Sequence, residues 1–303
     1  MTGSMPAHGH QQDAAPPGTS RSSGGRRPVI GRVVGIRRYP VKSLLGEDLD
    51  AVAVDAAGLA GDRRLALLHR ETGRVASAKN PYRWRALTTL AATGGDGAVR
   101  IALPDGRSVA AGDDGVDAVL SELLGEPVTL IDTPPPDAVL ERSRPEEVLA
   151  AGVAVPVPVD EGRLGAAAPP GGFVDFAPVH LLTTATLRRI GAELPSGAVD
   201  PVRYRPNLVL DTAGAGFEEN DWPGRELRIG AELVLRVLAR TPRCAVPTLA
   251  HGTLPRDPEA LRVPARLNRV VPLDGLAPQP CVGAYAQVVH AGRVEAGDPV
   301  RLA

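Results

Sequence analysis

Sulfur is scarce in this chain. Two cysteines, Cys244 and Cys281, occur in 303 residues. That is too few for a disulfide framework or a C-x-x-C metal pair, and a reducing, cytoplasmic setting suits them. Neither sign of charge is in excess. With 34 basic against 35 acidic residues the net charge is −1, which excludes a broad electrostatic footprint for nucleic acid or an anionic membrane. No run of about 18 apolar residues occurs, so no transmembrane helix is expected. The opening segment also lacks the apolar stretch of a secretory signal. The histidines (His8, His10, His69, His180, His251 and His290) are scattered, which argues against a His-rich zinc site. The chain has no G-x-G-x-x-G after a strand, no G-x-x-x-x-G-K-[ST], no H-E-x-x-H and no G-x-S-x-G. The commonest nucleotide, zinc-protease and serine-hydrolase readings fall with them.

Aromatics are only 3%, whereas proline (30) and glycine (34) are plentiful. That balance favours many short elements joined by tight turns. Residues 1–28, rich in Gly, Ser, Pro, His and Gln, read as a disordered tail. Strands are expected at 28–41, on either side of a Gly turn within 49–69, at 73–79, and in a hairpin over 97–111 turning at Pro104-Asp105-Gly106. Val116, Val119, Leu120, Leu123 and Leu124 have helical spacing, and Gly125 suits the stop. A strand follows at 127–132. The proline-rich stretch after it is a linker, 134–149, and 151–172 reads as a surface loop. Residues 180–194 read as a loop then a helix, with Thr183 or Thr184 as N-cap. Further strands are expected at 205–211, 232–240, 283–290 and 298–303. Strands come in runs without regular helix alternation. The fold class is therefore mainly β (α+β), with two β-barrel-like domains, 29–133 and 150–303, and a few flanking helices.

Four short basic segments carry the chemistry: YPVKS (39–43), GDRR (61–64), RYRPN (203–207) and TPRC (241–244). Each sits at a strand end or in a turn, and three contain proline, which stiffens the backbone behind the cation. The ordinary reading of a strand-end Arg is a solvated or salt-bridged residue. Converging on one pocket, however, they would hold an anionic cofactor, most plausibly through phosphate. Cys244 follows Arg243, which favours its thiolate and makes it a candidate nucleophile or soft-metal ligand. A generic cysteine is more often a small buried apolar residue. His251 is the nearest histidine that could serve a nucleophilic cysteine. Cys281, without an adjacent cation, reads as structural.

Taken in order, these segments resemble the MOSC superfamily (molybdenum cofactor sulfurase C-terminal domain), with its N-terminal β-barrel domain. The layout is similar to that of the mitochondrial amidoxime-reducing component and its bacterial counterparts. The resemblance rests on YPVKS, on GLAGDRRLALLHRETGRVASAKNPYRWRAL, on FAPVHLLTTATL, on RYRPNLVL with FEENDW and RIGAELVLRVLARTPRC, and on GAYAQVVHAGRVEAGDPVRL. It implies binding of the molybdenum cofactor, a molybdopterin dithiolene bearing a phosphate. It implies that Cys244 is the metal ligand and catalytic residue, and that Lys42, Ser43, Arg63, Thr183, Thr184, Thr186, Arg205, Asn207 and Arg243 contact the cofactor.

The implied reaction is reduction of an N-hydroxylated small molecule, an amidoxime or hydroxylamine, by oxygen-atom removal. Electrons would come from a separate flavin or iron–sulfur protein, since this chain lacks the cysteines for its own cluster. No nucleic acid and no membrane partner is implied. Two alternatives stand beside it. In one, Cys244 carries a persulfide delivered by a pyridoxal-phosphate desulfurase, and the chain itself holds no cofactor. In the other, the protein is a non-catalytic cofactor carrier. The chain departs from amidoxime reducers after the cysteine: AVPTLAHGTLPRDPEALR lacks their acidic Asp-Pro-x-Thr-Gly turn. His251, Gly252 and Arg256 occupy that region, which is expected to shape the substrate pocket.

Overall fold

The computed structural model describes residues 1–2, 28–95 and 98–303. The tail expected at 1–28, with His8 and His10, lies outside the described residues but for its ends.

Seven strands close into a barrel. In spatial order they are Val179–Thr183, Leu208–Thr212, Val29–Arg38, Pro299–Leu302, Glu226–Ile229, Leu233–Pro242 and Gln279–His290, which pairs back onto the first. Only the first two run parallel; the other pairings are antiparallel. Inward residues alternate along each strand, as the two-residue period requires. Val33, Ile36, Leu181, Leu208, Leu210, Leu227, Leu235 and Val237 fill the interior, and each such side chain contributes about 1.5–3 kcal/mol by leaving water. The chain's first strand is thus a stave of a barrel otherwise built from residues beyond 178. The strand Ala51–Asp55 also packs there through Val52 and Val54.

A second core gathers Val41, Leu44, Leu67, Trp84, Leu87, Leu90, Ile101, Leu120 and Val128. The expected helix is Val116–Leu124, closed by Gly125 at φ 68°, a left-handed value that glycine adopts without strain. The hairpin forms as Arg100–Ala102 and Ser108–Ala110.

Several expectations are corrected. Residues 73–79 form no strand; Val75 makes only an isolated bridge to Leu68. The stretch expected as a linker carries the strand Val139–Ser143 and opens the helix Pro145–Ala151, whose proline sits in the first turn, where no N–H is needed. Val139–Ser143 pairs with Val159–Arg163, inside the expected surface loop. Residues 179–183 are a buried strand, read from sequence as loop. The helix Glu259–Leu267 was not expected, because Pro264 interrupts its pattern. Among the described residues, no helix is long and apolar enough to cross a membrane.

Candidate functional site

One end of the barrel opens into a cavity of about 670 Å³. Strand ends deliver its residues. Leu233–Pro242 runs into Arg243 and Cys244, Val179–Thr183 carries His180, and Leu208–Thr212 follows Arg205 and Asn207. The segments 42–43, 63 and 77–79 supply the facing wall. The lining holds eleven Lys or Arg side chains against four carboxylates. In a chain of net charge −1, that concentration marks an anion site.

Tyr39 organises the arginines. Its ring is fully buried, with Arg205 4.2 Å and Arg63 4.8 Å from its centroid. Its N–H donates to Asp62 Oδ1 (2.7 Å), and Asp62 also pairs with Arg63. Arg63 and Arg205 both have left-handed backbones, with φ of 49° and 55°, as does Ser43 at 67°. Three non-glycine residues held this way at one site are a local strain that the surrounding contacts must enforce. Arg205 donates to the Leu44 carbonyl at 2.7 Å through Nη1, while its buried Nη2 has no partner among the described residues. Burial pulls its pKa down to about 10. Asn207 Oδ1 accepts from His180 N–H (3.1 Å) and from Arg63 (3.3 Å), which locks the two halves of the site together.

Deeper in, Lys42 donates to the Phe173 carbonyl at 2.9 Å and pairs with Asp175; Lys79 pairs with the same carboxylate at 3.0 Å. Burial lowers the Lys42 pKa to about 8, against the pull of Asp175. Burial also opposes the charge on Asp175, but Lys42 and then Lys79 hold it well below the usual carboxylate range. Ser43 Oγ accepts from Ala78 N–H at 3.1 Å.

Cys244 is half-buried and free, and it lines the cavity. Lys79 and Arg243 line the same cavity. Arg243 donates to the Tyr204 carbonyl (2.9 Å), the Val282 carbonyl and His180 Nε2 (2.6 Å). His180 therefore accepts at Nε2 and donates from Nδ1 to the Arg205 carbonyl, 3.2 Å away. Burial and then the Arg243 charge push its pKa well below the usual imidazole range, so it stays neutral. Gly283 permits this packing: at φ +80° a Cβ there would lie 2.6 Å from His180 Nε2.

Of the expected residues, the structure brings Lys42, Ser43, Arg63, Arg205, Asn207, Arg243 and Cys244 together on the cavity. It does not bring Thr183, Thr184 or Thr186 to that lining. Thr183 Oγ1 caps the following helix by accepting from Thr186 N–H (3.1 Å). Thr186 Oγ1 donates to Glu219 Oε2 (2.6 Å), and Thr184 donates to Asp211 (2.6 Å). Their hydroxyls are committed to structure.

The loop after Cys244 is also corrected. Val246 and Pro247 reach the cavity, whereas His251, Gly252 and Arg256 do not line it. His251 is buried against the Leu249 carbonyl (2.9 Å), and burial lowers its pKa to about 4, so it is no base for the thiol. Arg203 instead pins this loop, donating to the carbonyls of Pro247, Leu249 and Pro255.

Sequence reasoning missed Tyr39, Lys79, Asp175 and His180 as site residues. Lys79 and Tyr39 lie within or beside motifs already singled out. His180 lies within the singled-out FAPVHLLTTATL, whereas Asp175 gives no local signal, because only the tertiary contacts bring it in. Cys281 is buried, as expected, and burial raises its thiol pKa to about 11.

Among the described residues, no three His, Cys, Asp or Glu side chains cluster as metal ligands. A metal at Cys244 would need its other ligands from a bound group. The family model of the MOSC domain matches residues 170–301, and that of the MOSC N-terminal beta barrel domain matches 30–126. Among solved structures, the chain is similar to the YUAD protein from Bacillus subtilis (11% identity, 91% of this chain and 97% of that one, TM-score 0.44). It is also similar to YiiM from Geobacillus stearothermophilus (16% identity, 42% and 54%, TM-score 0.30). No curated protein matches.

Proposed function

The chain belongs to the MOSC superfamily, whose domains are associated with molybdenum cofactor binding or sulfurase-like functions, and from that premise we propose that its cavity holds the molybdenum cofactor and that the protein reduces N-hydroxylated compounds. One observation carries the reading. A half-buried free thiol shares a cation-rich cavity with buried Arg N–H groups that have no partner among the described residues, Arg205 Nη2 and Arg243 Nε. The donor set fits the group. A soft thiolate suits molybdenum, the dithiolene supplies the sulfurs that the chain lacks, and guanidinium forks suit a phosphate.

Bound there, the cofactor supplies two-electron oxygen-atom transfer. Cys244 serves as the protein's metal ligand. Lys42, Arg63 and Arg205 offset the anionic charge, with Tyr39 holding the two arginines in register. Neutral His180 fixes Arg243 behind the thiol. Lys79, paired with Asp175 in the same lining, would add to the positive field around the bound group. Electrons come from a separate flavin or iron–sulfur protein. The free thiols suit a reducing, cytoplasmic setting. As domains we propose 29–133 and 150–303, with the first strand lent to the second.

Elemental analysis of protein made in a cofactor-producing host tests this. Wild type is expected to carry molybdenum, and Cys244→Ala is expected to lose it while still melting cooperatively. Wild type without molybdenum but with a labile sulfur adduct on Cys244 would favour sulfur transfer instead.

A further inference from the structure

The two matched family regions leave residues 127–169 between them. Part of the cavity wall comes from this stretch. The strands Val139–Ser143 and Val159–Arg163 pair antiparallel, with Arg142 in register with Asp160. Leu140, Arg142 and Ser143 line the cavity. Ser143 N–H donates to the Lys79 carbonyl at 2.9 Å, which ties this wall to the segment beside Cys244.

Two side chains here lack partners. Among the described residues, Arg142 is the one cation of the lining that makes neither a hydrogen bond nor an ion pair. Each other Lys or Arg of the lining holds a carboxylate or a carbonyl oxygen. Asp160, across the strand pair, binds Arg144 instead, at 3.3 Å. The Ser143 hydroxyl also has no partner among the described residues, but it is wholly buried, and as the next residue of the strand it faces away from Arg142. Arg142, Lys79 and Cys244 all line this cavity. Leu140, Leu273 and Leu276 add apolar surface to the cavity, the last two being 43% and 48% exposed.

We propose that Arg142 anchors a carboxylate on the substrate, so that the preferred substrate is an apolar N-hydroxylated compound bearing an acid group. This rests on the reading of the cavity as a reducing site. The planar fork of Arg matches a carboxylate with two parallel N–H···O bonds, which a lysine ammonium cannot do. Arg142 lies outside both matched family regions.

The molybdenum-loaded protein is titrated calorimetrically with a carboxy-substituted benzamidoxime and with its methyl ester. Wild type is expected to bind the acid about tenfold or more tighter, the scale of one charge-assisted bidentate contact. Arg142→Gln is expected to erase that difference, and Ser143→Ala, on the opposite face of the strand, to leave it unchanged. Because Arg142 contacts no other side chain through a hydrogen bond, its variant should melt as wild type does. Equal binding of acid and ester by wild type overturns the proposal, as does an acid preference that survives Arg142→Gln. Loss of molybdenum in Arg142→Gln also overturns it, by making the residue a cofactor contact. Absence of molybdenum from wild type overturns only the parent reading, and the acid–ester contrast still decides this one.

Discussion

Lys42 meets two opposed demands. Burial disfavours its ammonium, while Asp175 and an anionic ligand favour it. Its folded pKa, about 8, lies below the ordinary lysine value of 10.5. The cost of burying the charge is therefore fully present below pH 8, and it is relieved as pH rises toward 10.5; for this group alone, stability increases with pH through that window. Anion binding runs the other way, because Lys42 loses its charge as pH passes about 8. Molybdenum retained after dialysis is expected to fall on raising the pH through that value. Lys42→Arg, which stays charged, should shift the fall upward; a retention curve unchanged by the substitution would remove Lys42 from the anion site. At the same scale, Cys244 could be singled out from sequence by its neighbour Arg243, and the cavity does hold both. Asp175, which balances two lysines, could not, since nothing around FVDF distinguishes it from a surface acid.

Among elements, the helix Thr184–Gly191 separates structural from ligand-binding hydroxyls. Thr186 Oγ1 donates to Glu219 and also accepts from Phe217 N–H at 2.7 Å, while Thr183 N–H donates to Glu219 Oε1 at 2.7 Å. Thr186→Val keeps the shape and strands both partners, so a loss of about 1–3 kcal/mol is expected in denaturant melts. Molybdenum content should not change; its loss would return these threonines to the cofactor. The resemblance implied them as contacts because the segment is hydroxyl-rich, but a hydroxyl pattern reads the same whether it caps a helix or faces a ligand. The strand Val139–Ser143 was illegible for a related reason. Its residues read as the tail of a proline-rich run, and its partner Val159–Arg163 lies across the helix Pro145–Ala151, so local propensity had no pairing to act on.

At the scale of the whole molecule, the barrel cannot close without its first strand. Val29–Arg38 stands between Leu208–Thr212 and Pro299–Leu302, and Val33 and Ile36 sit in the core. A fragment of residues 150–303 would expose two unpaired strand edges and an opened core. It is expected to be insoluble or to melt without cooperativity, and a fusion restoring residues 28–60 should recover a cooperative transition in calorimetry. A fragment that folds alone would show that the first strand is dispensable.

The sequence by itself determined the mainly β class, most strand positions, the family, and the basic segments with Cys244, because alternation, turn chemistry and short motifs are local properties. Only the tertiary structure decided which cations share the cavity and which hydroxyls are already committed. It also put the strand bearing Arg142, and not the loop around His251, in the cavity wall. Those outcomes depend on strand order and on which buried polar groups find partners, and both are settled by contacts between residues far apart in the chain.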